Sequence, residues 1–461
     1  MPELKADYLV IGAGAMGMAF TDVLMTESDK TVILVDRHDR PGGHWNDAYP
    51  FVRLHQPSAF YGVNSRKLGN DTIDQAGWNA GLFELASGSE VVAYFDQVMR
   101  EQFLPSGRVQ YFPNCDYSGD LSFTSRVSGE TYTVIADKVV DATYMNVTVP
   151  SVTTPGYEID DGVTCVPVNQ LPKVANSTTG YVIVGAGKTG MDACLWLLSN
   201  NVDPSRITWV MPRDSWMLDR ASIQPGLLAA AATEIFGRQM RAAADATSLE
   251  DLFDRVDEAG ALLRFDPDVF PTMYRCATVT REELEQLRRI PNIVRKVRVR
   301  RITADTMHLD EGDVALNGET VFIDCSADGL ERRPPVPVFA GKQLTLQAVR
   351  TCQQVFSAAF IAHVELSMDD EAAMNTVCTP VPHPDNHIDF LRTTLSNAMN
   401  GMVWSQYPEL TTWLQQSRLD GFSSPDGGGA SPAADPALGE MAMKAAEKLQ
   451  QYIAEAEAQG L

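Results

Sequence analysis

The chain has no Cys-x-x-Cys pair, no His-Glu-x-x-His and no Cys/His grouping at metal-ligand spacing, so neither a dithiol redox centre nor a bound metal is expected. It has no Gly-x-Ser-x-Gly elbow for a serine nucleophile. No apolar run reaches the roughly 20 residues of a membrane-spanning helix. Basic residues are scarce: 37 Lys and Arg stand against 60 Asp and Glu, a net charge of −23. Nucleic acids and anionic membranes are polyanions, so neither is expected as a partner. The one basic cluster, residues 288–301, alternates apolar and basic side chains near its end and is expected as the solvated face of a strand. The seven cysteines are odd in number and scattered singly, which fits reduced thiols in the cytoplasm. Residues 1–7 run straight into the first expected strand, leaving no room for a signal peptide.

A further absence concerns residues 181–198, YVIVGAGKTGMDACLWLL. Gly187-Lys188-Thr189 looks like the tail of a triphosphate loop, but that loop needs a glycine five positions before Gly187, and Val182 stands there. What is present is Gly185-x-Gly187-x-x-Gly190 between an apolar strand and an apolar helix. The first glycine allows the tight turn, the second lets a pyrophosphate approach the backbone, and the third lets helix and strand pack closely. Lys188 and Thr189 open the helix and join the candidate contacts. The same pattern occurs at the N-terminus, where Gly12-x-Gly14-x-x-Gly17 follows a strand over residues 7–11. There the next strand, residues 31–35, ends in Asp36, an acid placed to bind ribose hydroxyls, with Arg37 beside it. At the second site the matching strand, residues 207–211, is closed by no acid but by Arg213, whose fork suits a 2′-phosphate. The reading is FAD at the first loop and NADPH at the second.

At 461 residues the chain is long enough for two or three domains. The expected fold is α/β, two Rossmann-type dinucleotide-binding domains (FAD and NADPH) with a helical insertion. Residues 1–150 and 290–422 are expected to form a discontinuous FAD-binding domain, and 151–219 the NADPH-binding domain. Residues 220–289 read as a helical cap without a strong strand, and 423–461 as a flexible linker followed by a helix. That last helix carries Leu438, Met441, Ala445, Leu449 and Tyr452 on one face; docking on its own chain is expected. Whether the protein is a monomer or a homodimer stays open.

Between the two loops runs Asp36-Arg37-His38-Asp39-Arg40-Pro41-Gly42-Gly43-His44-Trp45, with Tyr49-Pro50 soon after. This resembles the flavin-containing monooxygenases and Baeyer–Villiger monooxygenases, flavoproteins with two dinucleotide-binding domains. There an acid closes the second strand and a Gly-Gly-x-Trp turn, here with Gly43 and Trp45, passes the flavin. The likeness is specific up to about Tyr61 and again from Gly185 to Arg213, and fades beyond Arg220. It implies an FAD- and NADPH-dependent oxidoreductase that uses O₂ on a small organic substrate. Two departures stand out. Val166 occupies the place of a family histidine before the second loop. In Tyr49-Pro50-Phe51-Val52-Arg53-Leu54-His55, His55 stands where Baeyer–Villiger enzymes carry an acid near the flavin. Arg53 and His55 are therefore the candidate polar groups beside the flavin ring, and Trp45 a wall of its site. The leading expectation is an NADPH-dependent flavin monooxygenase inserting one oxygen atom from O₂ at N, S or a carbonyl of a small organic molecule; the alternatives are a reductase, dehydrogenase or oxidase that inserts no oxygen, and a catalytically idle nucleotide-binding protein.

Overall fold

The computed structural model describes residues 2–174, 180–316, 320–421 and 436–460. Its first sheet is built around Glu3–Ile11, flanked in parallel by Val32–Val35 and Thr131–Asp141; Val109–Phe112 extends it on one side, Gln343–Thr345 and Phe339–Ala340 on the other. Alternate residues of the central strand serve opposite faces. Tyr8 and Val10 pack on helices Ala15–Glu27 and Gln354–Ser367, while Leu9 faces the antiparallel pair Cys115–Gly119 and Ser122–Ser125, the latter also antiparallel to the start of Thr131–Asp141. Both faces being covered, the short strand VILV is apolar throughout.

The second sheet is wholly parallel, in the order Thr164–Pro167, Thr320–Asp324, Gly180–Val184, Ile207–Val210, Asn292–Val294. One face packs on helices Lys188–Ser199 and Arg281–Leu287. The other is covered by a small sheet that includes Val299–Ile302. In that strand Val299 and Ile302 are buried and Arg300 and Arg301 exposed, the solvated basic face expected from the sequence.

The structure corrects three expectations. Residues 290–422 do not all belong with the first sheet, because Asn292–Val294 and Thr320–Asp324 are strands of the second. Isolated apolar runs of three to five residues carry no mark of which parallel sheet they will join. Residues 220–289 are not all helical: Met273–Val279 pairs with Ser215–Asp219, which also pairs with Leu262–Leu263. Six of the seven residues of Met273–Val279 are buried, so the strand lacks the alternation that would have announced it. Finally, two of the cysteines are joined: Cys276, in that strand, is disulfide-bonded to Cys352, 76 residues away, with Cα atoms 6.6 Å apart. The other five are free.

The final helix, Pro436–Ala458, docks on its own chain. Ala445, Leu449 and Tyr452 are buried against Ile235 and Ala242 of helix Ala229–Asp245, and the Tyr452 hydroxyl donates to the carbonyl of Ala246 at 2.9 Å. The expected linker, residues 423–434, and the side chain of Leu438 lie outside the described residues. Among the described residues no helix is long and apolar enough to cross a membrane, and no group of three His, Cys, Asp or Glu is placed to hold a metal ion.

Candidate nucleotide-binding sites

The first loop leaves the strand Glu3–Ile11 at Gly12, whose φ of 100° only glycine adopts readily. Helix Ala15–Glu27 begins at Gly14 with no side-chain cap, so its first N–H groups remain available to an anion. A Cβ on Gly17 would lie 1.9 Å from the carbonyl oxygen of Gly12, the close packing the third glycine exists to permit. The Gly42-Gly43 turn folds over this loop, with the Gly42 N–H donating to the Ala13 carbonyl at 2.9 Å. A Cβ on Gly43 would stand 2.9 Å from the Cα of Gly14. Loop and turn thus pack backbone to backbone, a contact that glycine at both positions permits.

Asp36 ends the second strand, buried. Its Oδ2 accepts the Ala13 N–H at 2.5 Å, and its Oδ1 accepts the His38 N–H at 2.7 Å and bonds His38 Nδ1 at 2.9 Å. The other ring nitrogen of His38 meets Asp47 at 2.9 Å. The bond to Asp36, with Asp47 and against burial, raises His38 to about 8, so the imidazolium bridges two carboxylates at neutral pH. A ribose hydroxyl arriving at Asp36 would share the carboxylate with His38. Arg37 is exposed. Trp45 donates from Nε1 to the Tyr61 hydroxyl at 2.7 Å. Between the 39–50 segment and the start of helix Gly88–Val98 lies a cavity of about 740 Å³, whose lining includes Trp45, Tyr49 and Val52.

The second loop repeats the construction. Gly185 has φ 126°, and a Cβ there would lie 2.6 Å from the Cys325 carbonyl oxygen; one on Gly190 would lie 2.1 Å from that of Gly185. Gly187 opens helix Lys188–Ser199 without a side-chain cap. Around Gly187, however, a Cβ would meet nothing within 4 Å. The loop fits a diphosphate with open space above its middle glycine.

One face of that helix touches the first half of the molecule. Lys188 turns back along the helix to pair with Asp192, one turn on. Asp192 also accepts from the Tyr49 hydroxyl at 2.6 Å, and Trp196 stacks on Phe51 with centroids 5.2 Å apart. Burial, Asp192 and Cys325 push the Tyr49 phenol well above its ordinary range, against a hydrogen bond to Thr189. Tyr49 and Phe51, quoted above only as part of a motif, are thus what joins the two loops.

The two candidates beside the flavin part company. Arg53 is exposed, its Nη1 donating to the Leu85 carbonyl at 3.2 Å. His55 is half-buried: burial first, then the charges of Lys188 and Arg220, holds its imidazole well below the usual range and therefore neutral at pH 7. The group that fixes its backbone is Arg220. This arginine is 1% exposed. Its Nε donates to the His55 carbonyl at 3.0 Å, Nη1 to Asn79 at 3.0 Å, and Nη2 to Glu283 at 2.9 Å and the Thr278 carbonyl at 3.3 Å. Nothing local in the sequence marks it, since its partners lie 58 to 165 positions away.

Arg213 follows the strand Ile207–Val210 as expected, but its fork is already engaged. Nη2 and Nη1 reach Asp385 at 2.9 and 3.3 Å. Arg275 and Arg332 converge on the same carboxylate at 2.5 and 2.7 Å. Burial works to raise Asp385, yet the bonds from Arg213 and Arg275 hold it at about 2.

Comparison with known proteins adds three findings. Residues 10–62 match the family described as NAD(P)-binding Rossmann-like domain. The uncharacterized proteins Rv2000 of Mycobacterium tuberculosis and Mb2023 of Mycobacterium bovis are each 55% identical over 418 residues, which is 90% of this chain and 78% of theirs. Among solved structures, oxidized steroid monooxygenase bound to NADP superposes with a TM-score of 0.51 at 12% identity, covering 97% of this chain and 98% of that one. The last is a likeness of fold.

Proposed function

We propose that this chain, which belongs to the same family as the Mycobacterium tuberculosis protein Rv2000, is an NADPH-dependent flavin monooxygenase inserting one atom of O₂ into a small organic substrate. FAD lies on the first loop and NADPH on the second. The observation that carries the reading is the pair of capless glycine loops, Gly12 to Gly17 and Gly185 to Gly190, joined through Tyr49, Phe51 and the helix that opens at Gly187. Such an arrangement brings two dinucleotides to a common seam, which hydride transfer between them needs. The fold shared with a steroid monooxygenase that binds NADP supports the choice of reaction, as does the Gly42-Gly43-His44-Trp45 turn.

When bound, the flavin supplies the chemistry: it takes up a hydride and passes electrons to O₂. The chain's own residues do the rest. The N-terminal N–H groups of helices Ala15–Glu27 and Lys188–Ser199 hold the two diphosphates. Gly14 and Gly43 let the following turn close against the first loop. Asp36 takes a ribose hydroxyl while anchoring the Ala13 N–H. Arg213 receives the 2′-phosphate. His55, neutral and within the field of Lys188, offers a hydrogen bond at the seam without adding a second positive charge there. Arg53, on the surface, acts through the loop it holds to Leu85. Trp45 and Tyr49 close the aromatic wall and keep water from the seam. We place the enzyme in the cytoplasm, where NADPH is regenerated.

A second reading, a flavin reductase or oxidase that inserts no oxygen, is favoured by Val166 in place of the family histidine and by His55 in place of an acid. One experiment separates the two. FAD-loaded protein, NADPH, ¹⁸O₂ and a substrate panel are expected to give ¹⁸O-labelled product in step with NADPH consumed. Hydrogen peroxide stoichiometric with NADPH, whatever substrate is supplied, establishes the second reading instead.

A further inference from the structure

Asp385 reaches the end of the second Rossmann strand from a distant part of the chain, the segment just before helix His387–Trp404. Three guanidinium groups surround it, from Arg213, Arg275 and Arg332. They are not equally committed to it. Arg275 grips Oδ1 with both Nε and Nη2, at 2.7 and 2.5 Å, while its Nη1 holds Asp328 at 2.6 Å. Arg332 adds a third contact to Oδ1 at 2.7 Å. One carboxylate needs at most two such partners, so Asp385 stays paired if Arg213 leaves. Arg213 also has the most to gain elsewhere: it is the arginine at the ribose end of the second nucleotide unit, with a third of its side chain open to solvent.

We propose that Asp385 is a specificity-determining residue of the second site, a built-in competitor for Arg213 that the 2′-phosphate of NADPH must displace. The proposal rests on the reading of that site as the NADPH site. The phosphate monoester carries close to two negative charges at neutral pH and offers three oxygens to the fork that Asp385 now occupies with two. The exchange keeps Arg213 ionically paired throughout, so neither the bound nor the free state leaves a bare guanidinium. NADH, with a ribose hydroxyl at that position, cannot drive it. The Asp385 carbonyl accepts the Tyr274 N–H of the strand Met273–Val279 at 3.0 Å, so that amide reports on the Asp385 segment when Arg213 changes partner.

The test is direct binding of NADPH and NADH to the FAD-loaded wild type and to the Asp385→Asn and Arg213→Gln variants. Removing the competing charge is expected to tighten NADPH roughly tenfold, the worth of one charge-assisted contact, and to leave NADH within about twofold. Arg213→Gln is expected to abolish the preference for NADPH. A wild-type measurement stands beside these in case Asp385→Asn does not fold with its arginines unpaired. Amide hydrogen exchange at Tyr274 is expected to accelerate with saturating NADPH and not with saturating NADH. Weaker NADPH binding by Asp385→Asn, or slower exchange at Tyr274, shows that Asp385 positions Arg213 and overturns the proposal. Equal affinity of the wild type for the two nucleotides, unaltered by Arg213→Gln, overturns instead the reading of the NADPH site, and the proposal with it.

Discussion

A side chain on Gly14 would meet the Cα of Gly43 at 3.6 Å, whereas one on Gly187 would meet no atom within 4 Å. The two loops share strand, turn, helix and spacing, so the difference lies in what surrounds them. The first is roofed by its own following turn and closed at the ribose end by Asp36 and His38, all within some 30 residues of sequence. The second is open at its centre, and its ribose end is guarded by Asp385, 172 positions from Arg213. A roofed loop suits a cofactor that stays in place through many turnovers. An open one suits a nucleotide that must leave after each hydride. The contrast therefore supports assigning the resident flavin to the first loop and the exchanging NADPH to the second.

The largest effects are expected where the loops are alike. Gly17→Ala and Gly190→Ala each force a Cβ to within about 2 Å of a backbone carbonyl, and each is expected to cost more than about 4 kcal/mol, read as loss of soluble protein. Gly187→Ala is the contrasting case, with thermal stability within about 0.5 kcal/mol of the wild type and weaker NADPH binding. Equal damage from Gly187→Ala would show that the second loop is not open.

Next comes the buried arginine that ties the His55 carbonyl to Glu283. Arg220→Ala leaves Glu283 without its buried partner, and calorimetry or denaturant melts are expected to show a loss of about 3–5 kcal/mol. A near-neutral change would reduce Arg220 to a bystander at the seam.

Smaller still, Arg213→Ala is expected to cost about 1.5–3 kcal/mol in NADPH binding, roughly ten- to hundredfold, with little change for NADH. Steady-state KM values for both nucleotides measure it.

The smallest effect is a pH dependence confined to the first loop. His38 is raised in the folded state to about 8, against 6.5 for the free side chain. Its stabilising contribution is therefore full below pH 6.5 and lost as pH rises through about 8, about 1 kcal/mol in all once solvent screening of the half-buried ring is taken into account. His38→Asn is expected to flatten the melting temperature over that window. An unchanged slope would mean that His38 does not bridge Asp36 and Asp47.

How much of this was legible depends on how far each feature reaches along the chain. Both glycine loops and Asp36 were readable because the parts that meet are close neighbours. Arg213 follows the strand where the sequence places it, but its partner was not readable, since no local pattern ties Asp385 to it. Arg220 was missed for the same reason. The pairing of Cys276 with Cys352 depends on a strand whose buried residues gave no alternation. The assignment of Asn292–Val294 and Thr320–Asp324 to the second sheet depends on topology, which short apolar runs do not carry.

The central claim is that the two loops hold different nucleotides that react with each other. Anaerobic titration of the purified, flavin-loaded protein with NADPH tests it most directly. The account expects one FAD per chain, bleached by one equivalent of NADPH, with NADH requiring a far higher concentration for the same effect. Protein that retains no FAD after reconstitution, or bound FAD that NADPH does not reduce, would contradict it.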